Sequence, residues 1–227
     1  MAGRGSEGVS LEAAPQVWLV SLETTADVLE QLAPQERRWC AALPEPRRSR
    51  YAASRALLRA QLAVPLRCDP AAVPLHSPPG EAPRLEAGYG WTGISHSGDA
   101  LLTAWSSRPI GVDLEPLSRR LAAVALLQRH FPAAERRQLL DGPWSRDPRS
   151  LQRAVLTSWV HKEAAIKWRR SSLAVELRHW CYDHCRRELR QLVDGAAPPC
   201  WSRQQGEWLL AVVGEGAQRA RLVEPMP

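Results

Sequence analysis

The chain has 227 residues, enough for one large domain or two small ones, and its 44% hydrophobic content excludes a disordered chain. Its net charge of +6, carried almost entirely by arginine, favours an anionic partner such as a phosphorylated small molecule, an acidic protein or a nucleic acid. No basic run with interleaved aromatic residues supports the nucleic-acid option, and no apolar run approaches the roughly 18 to 20 residues that span a bilayer.

The opening "MAGRGSEGVS" has no apolar segment behind its arginine, so it reads as part of a flexible tail over residues 1–15 and not as a secretory signal. The five cysteines are odd in number and include no CxxC, which predicts reduced thiols in a cytoplasmic protein. Gln16 to Glu23, rich in Val, Leu and Trp, predicts a strand. A short helix is expected from about Asp27 to Leu32, ended by Ala33-Pro34, and a second one over "ERRWCAAL". "RRSRYAASRALLRAQLA" is the strongest helix of the first half. Tyr51, Leu57, Leu58 and Leu62 form its apolar stripe, and arginines are expected to decorate the rest. The proline-rich "VPLHSPPGEAPRL" must be loop or extended chain.

"GISHSGD" then reads as a glycine-flanked turn. Ala100–Trp105 and Pro109–Glu115 are short β-prone segments joined by "SSRP", which predicts a hairpin or meander. Helical patterns follow near Leu121–His130, Pro132–Leu140 and Ser150–Arg169, with "DGPW" separating the last two. "CWSRQQGEWLLAVVG" predicts a terminal pair of strands with Gly206 in the turn. Strands cluster instead of alternating with helices, so the expected class is α+β. "SRALLR" and "KEAAIK" form a weak internal echo, each late on a long helix.

Three stretches could carry chemistry. On a strand, "PIGVDLEP" turns Ile110, Val112 and Leu114 one way and Gly111, Asp113 and Glu115 the other. The two carboxylates then lie about 7 Å apart, a spacing suited to a hard cation, although a solvated acidic face reads the same way. In "SWVHKEAAIKW" the row Leu151, Val155, Trp159, Glu163, Lys167 begins apolar and becomes charged. Its Glu163–Lys167 pair has the favourable order, and as surface decoration it would add only a few tenths of a kcal/mol. In "GISHSGD", Ser95 and His96 offer donors to an anion, the alternative being an exposed loop histidine. "HWCYDHC" collects His179, Cys181, His184 and Cys185, but its spacing lacks two short-spaced ligand pairs, and "HKEAA" lacks the second histidine of a zincin.

Taken in order, "ISHSGD", "GVDLE" and "WVHKEAAIK" resemble the 4′-phosphopantetheinyl transferase superfamily, and look most like its longer, surfactin-synthetase-activating (Sfp) type. The resemblance runs from about Val17 to the terminal strands. It implies a pseudo-twofold α+β fold of two similar halves. Residues 16–108 would contribute to coenzyme A binding, and residues 109–227 would hold the metal site and catalytic helix. The implied reaction moves the phosphopantetheine arm of coenzyme A to a serine of an acyl or peptidyl carrier protein and releases adenosine 3′,5′-bisphosphate. By position, Asp113, Glu115 and Glu163 would bind Mg²⁺, with Mn²⁺ as the other option. Glu163 would serve as base for the serine, and Lys167 would contact a phosphate. Ser95 and His96 would contact the nucleotide and its phosphates, and Arg38 and Arg50 the 3′-phosphate. The positive charge suits an acidic carrier, and two halves in one chain make a monomer the default.

The chain departs from the family pattern in three places. "GEAPRL" lacks the lysine of a Gly-Lys-Pro, leaving Arg84 as the nearest basic residue. Val160 replaces a small hydroxyl residue, and "RSSL" replaces Gly-x-Gly-Leu. A non-catalytic binder of coenzyme A, nucleotides or carrier proteins would retain the same fold. A nucleic-acid binder rests on charge alone.

Overall fold

The computed structural model describes residues 14–22 and 28–224, with Leu173 and Ala174 as backbone only. The tail expected over 1–15 therefore lies, up to residue 13, outside the described residues. Asp27 and Glu23 lie outside them too, at one end each of the expected first helix and strand.

Strand β1 (Gln16–Ser21) forms as expected. The short helix before Ala33 does not: Val28–Gln31 is a turn. Pro34 holds Ala33 extended at ψ 155°, so helix α1 (Pro34–Ala41) starts afresh, with Glu36 accepting from the Ala33 N–H at 3.1 Å. Helix α2 (Arg47–Leu66) buries Tyr51, Leu58 and Leu62, but its arginines do not all decorate the surface. Arg55 is 8% exposed and Arg59 1%. Arg59 pairs with Glu36 and donates to the carbonyls of Pro70 (2.9 Å) and Val73 (3.0 Å), tying the following loop to the helix. The proline-rich stretch holds only a short ribbon of β2 (Leu75–His76) and β3 (Arg84–Leu85).

"GISHSGD" is not a turn throughout. Ser95, His96 and Ser97 end strand β4 (Trp91–Ser97), and only Gly98 and Asp99 make the turn into β5 (Ala100–Ser106). Gly98 supplies the positive φ, +54°, that a two-residue hairpin loop needs. The hairpin thus falls one strand earlier than expected. Strand β6 (Ile110–Pro116) cannot pair with β5, because both edges of β5 are occupied in a sheet of order β11-β1-β5-β4. It joins a second sheet instead.

Helices α3 (Ala123–His130) and α4 (Ala133–Asp141) precede the long α5 (Pro148–Trp168). Asp147 caps α5 by accepting from the Ser150 N–H at 2.8 Å, and Pro148 occupies its first turn. After α6 (Leu173–Glu176), the "HWCYDHC" stretch enters a ribbon of β7 (Trp180–Asp183) and β8 (Glu188–Gln191). His184 bonds Ser158 there at 2.8 Å. Strands β9 (Cys200–Gln205) and β10 (Trp208–Gly214) form the expected terminal hairpin around Gly206, and β10 pairs with β6. Strand β11 (Arg221–Leu222) returns parallel to β1, so the first sheet contains both ends of the described chain.

The architecture is mixed α+β. Leu58, Leu62 and Ala63 of α2 pack on Trp18 and Trp105 of the first sheet. Leu156, Val160 and Ala164 of α5 pack on Leu209, Ala211 and Val213 of the second. A third cluster, with Leu102 and Ala104 against Val112, Leu114 and Val212, joins the two sheets. That junction sets β4 beside β6. All five cysteines are free, and no helix among the described residues is long and apolar enough to cross a membrane.

Candidate active site

The alternation read along β6 is present. Ile110, Val112 and Leu114 enter the inter-sheet core, and Asp113 and Glu115 point toward β4 and α5. Their face is not solvated, since Asp113 is 2% exposed and Glu115 9%. Gly111 lets α5 come close. A Cβ at this position would lie 2.0 Å from the Ala164 carbonyl and 2.4 Å from the Trp168 nitrogen. Only glycine allows this approach, and it delivers Glu163 and Lys167 to the carboxylates of β6.

Carboxylate oxygens of Asp113, Glu115 and Glu163 lie within 4.8 Å of one another, the one such metal-ligand grouping among the described residues. Asp113 Oδ1 accepts from Ser95 Oγ at 2.7 Å and from Lys167 Nζ at 2.6 Å, and Lys167 also donates to Ser95 Oγ at 2.8 Å. Glu115 accepts from Ser97 Oγ at 3.3 Å and from Arg119. Lys167 lies 4.0 Å from Glu163. Burial first, and the Asp113 charge second, push the Glu163 carboxyl up to about 7, against the opposing pull of Lys167 and Arg119. The Asp113 Oδ2 atom is buried and has no hydrogen-bond partner among the described residues.

This donor set fits a divalent hard cation: three convergent carboxylates, one with an unclaimed buried oxygen. Among these groups only two cations, Lys167 and Arg119, offset three carboxyls.

A basic region adjoins the carboxylates. Burial holds the His96 imidazole below its ordinary range, and the charges of Arg50, Lys167 and Arg55 add to that effect. Arg50 donates to the Gly98 carbonyl at 2.8 Å. Arg55 lies over the Tyr51 ring at 5.0 Å and donates to Ser54 Oγ and the Ser77 carbonyl, but it forms no ion pair with a carboxylate among the described residues. Sequence reasoning missed Arg55. The available signal was its place four residues after Tyr51, on the apolar side of α2. It also missed Lys162, which is fully buried and pairs with Glu135 at 2.6 Å.

Ser95, Asp113, Glu115, Glu163 and Lys167 therefore converge, with His96 and Arg50 beside them. Arg38 does not join them. It stands exposed on α1 and shares no hydrogen bond or ion pair with the cluster. Arg84 is exposed on β3 and acts electrostatically on Arg170, which lies over Trp91 at 4.8 Å.

Residues 109–213 match the 4′-phosphopantetheinyl transferase superfamily. The matched segment starts at β6 and ends in β10. It contains Asp113, Glu115, Glu163 and Lys167, while Ser95, His96 and the basic residues of α2 come from chain outside the match. No curated protein matches the chain.

Proposed function

We propose that this protein transfers the phosphopantetheine arm of coenzyme A to a serine of an acyl or peptidyl carrier protein. The observation that carries this reading is the convergence of three carboxylates and Lys167 inside the segment that matches the transferase superfamily. In the proposed reaction the serine oxygen bonds to the phosphorus that bears the pantetheine arm. The bridging P–O bond breaks, and adenosine 3′,5′-bisphosphate leaves.

Phosphoryl transfer depends chiefly on positioning and charge stabilisation. Glu163, whose carboxyl is pushed up to about 7 by burial, would accept the serine proton from its ionised form. Lys167 holds a phosphate oxygen and offsets charge on the leaving bisphosphate. Arg50 and Arg55 would present positive charge to the remaining phosphates, and His96, held toward its neutral form, would offer them a ring hydrogen bond. Asp113, Glu115 and Glu163 would hold Mg²⁺, which when bound supplies charge neutralisation at the pyrophosphate.

The same proposal includes the surfactin-synthetase-activating type, a pseudo-twofold relation between residues 16–108 and 109–227, a cytoplasmic monomer and an acidic carrier partner. The pairing of each main sheet with one long helix supports the two-half relation. The net charge of +6 supports the acidic partner. Incubation with coenzyme A, Mg²⁺ and a panel of apo carriers should add the mass of one phosphopantetheine arm to a carrier. Coenzyme A binding with no mass shift on any carrier would replace this reading with a non-catalytic binder.

A further inference from the structure

Two serines of β4 face two carboxylates of β6. Residues two apart on a strand share one face, so Ser95 and Ser97 stand side by side as Asp113 and Glu115 do. Ser95 Oγ bonds Asp113 Oδ1 at 2.7 Å, and Ser97 Oγ bonds Glu115 Oε2 at 3.3 Å. The first bond is the tighter, and Ser95 is buried, at 7% exposure. By family resemblance Ser95 would contact the nucleotide and its phosphates.

The hydrogen-bond donors point to a different role. A lysine ammonium has N–H donors and no acceptor. Lys167 donates to Asp113 Oδ1 at 2.6 Å and to Ser95 Oγ at 2.8 Å, so the serine oxygen is the acceptor in the second contact. The single O–H of Ser95 is then given to Asp113 Oδ1. Ser95 has no donor left for a phosphate oxygen, whereas Lys167 keeps one. Asp113 Oδ1 accepts from both groups, and turning the carboxylate would break both bonds. Its other oxygen, Oδ2, is buried with no hydrogen-bond partner among the described residues. The carboxylate is thus anchored at one oxygen and open at the other.

We propose that Ser95 is a positioning residue of the metal site: its hydroxyl holds Asp113 so that Oδ2 is presented to the divalent cation, and it binds neither phosphate nor nucleotide. The assignment rests on the proposed metal site. Ser95 precedes the segment that matches the transferase superfamily, so chain outside the match would orient a ligand inside it. Groups that hydrogen-bond metal ligands fix their orientation and tune the affinity of the site.

Calorimetric titration of the full chain with Mg²⁺, with no coenzyme A present, tests the proposal. Ser95→Ala should weaken Mg²⁺ binding about 10–100-fold with an unchanged circular dichroism spectrum, the usual cost of losing a hydrogen bond to a metal ligand. Ser95→Thr keeps the hydroxyl and should stay within about threefold of wild type. Ser97→Ala should weaken binding only about two- to fivefold, because its bond is long and Arg119 still holds Glu115. At saturating Mg²⁺ the KM of Ser95→Ala for coenzyme A should stay within about twofold of wild type. If Ser95→Ala does not fold, Ser95→Cys, of similar size and with a weak donor, should show the same loss of Mg²⁺ affinity. A serine that binds phosphate would behave in the opposite way: unchanged Mg²⁺ affinity in Ser95→Ala, and weaker binding of adenosine 3′,5′-bisphosphate without metal. That result overturns the assignment and leaves the metal site standing. No Mg²⁺ binding by the wild-type chain overturns both.

Discussion

Helices α2 and α5 each bury a basic side chain against a glutamate on a preceding short helix: Arg59 on Glu36 of α1, and Lys162 on Glu135 of α4. Both pairs are closed in charge, one cation to one carboxylate, although one buried oxygen of each glutamate has no hydrogen-bond partner among the described residues. Arg59 spends its other donors on loop carbonyls, and Lys162 lies 3.6 Å above the Phe131 ring. Each helix also carries charge, buried on α2 and partly buried on α5, that is left open. On α2 this is Arg55, which has no carboxylate partner among the described residues. On α5 it is Glu163, which lies among two further carboxylates on β6. The ion pairs tie each helix to its neighbour, and the open groups are of opposite sign, with Arg55 acting on His96 and Glu163 standing with Asp113 and Glu115. A phosphate–metal ligand needs both signs of charge.

The largest expected effect tests the closed pairs. Lys162→Ala leaves Glu135 buried and alone, so it should cost about 3–5 kcal/mol of stability in chemical denaturation. The fraction that remains folded should keep its transfer rate. Loss of rate without loss of stability would break the division between closed and open groups. Asp113→Ala tests the other side. It should reduce kcat about 10²–10³-fold in the carrier mass-shift assay while unfolding at a similar temperature, because it removes like charge next to Glu163.

These contrasts also explain what was legible in the sequence. The acidic face of β6 and the Glu163–Lys167 pair follow from local periodicity, which is why strand and helix could be read with their charged residues in place. Burial of Arg59 and Lys162 could not be read, since Glu36 and Glu135 sit on other helices and nothing in local spacing marks them as partners. The hairpin was misplaced for a similar reason. Whether β5 pairs forward or backward depends on β1 already occupying one of its edges, and that is a property of the sheet. Gly111 was legible only as a residue with no side chain. Its importance lies in the carbonyl of Ala164 above it.

A smaller effect separates the two arginines of α2. Arg55→Met should raise the KM for coenzyme A about ten- to a hundredfold, as expected for one hydrogen bond to a charged group. It should leave the unfolding temperature level or raise it, since the buried cation removed is one that no carboxylate pairs among the described residues. Arg59→Met should do the reverse, lowering the unfolding temperature and sparing KM. Identical behaviour of the two variants would erase the distinction between Arg55 and Arg59.

The subtlest test is pH. The folded-state value of Glu163, about 7, lies above its ordinary 4.5, so the folded protein holds this proton where the unfolded chain has lost it. The stabilisation from the protonated form is complete below about pH 4.5 and disappears as pH rises through 7. A cation that needs the ionised carboxylate must displace that proton. Magnesium affinity, measured by titration calorimetry, should therefore rise with pH between about 5.5 and 7, approaching tenfold per unit, and level off above 7. The rise in unfolding temperature on adding magnesium should be larger at pH 8 than at pH 5.5. Glu163→Gln should flatten both slopes, because the remaining ligands Asp113 and Glu115 already accept hydrogen bonds from serine and paired cations. A slope that survives in Glu163→Gln would move the titrating group away from α5, and the carboxylate cluster would then owe its proton to β6.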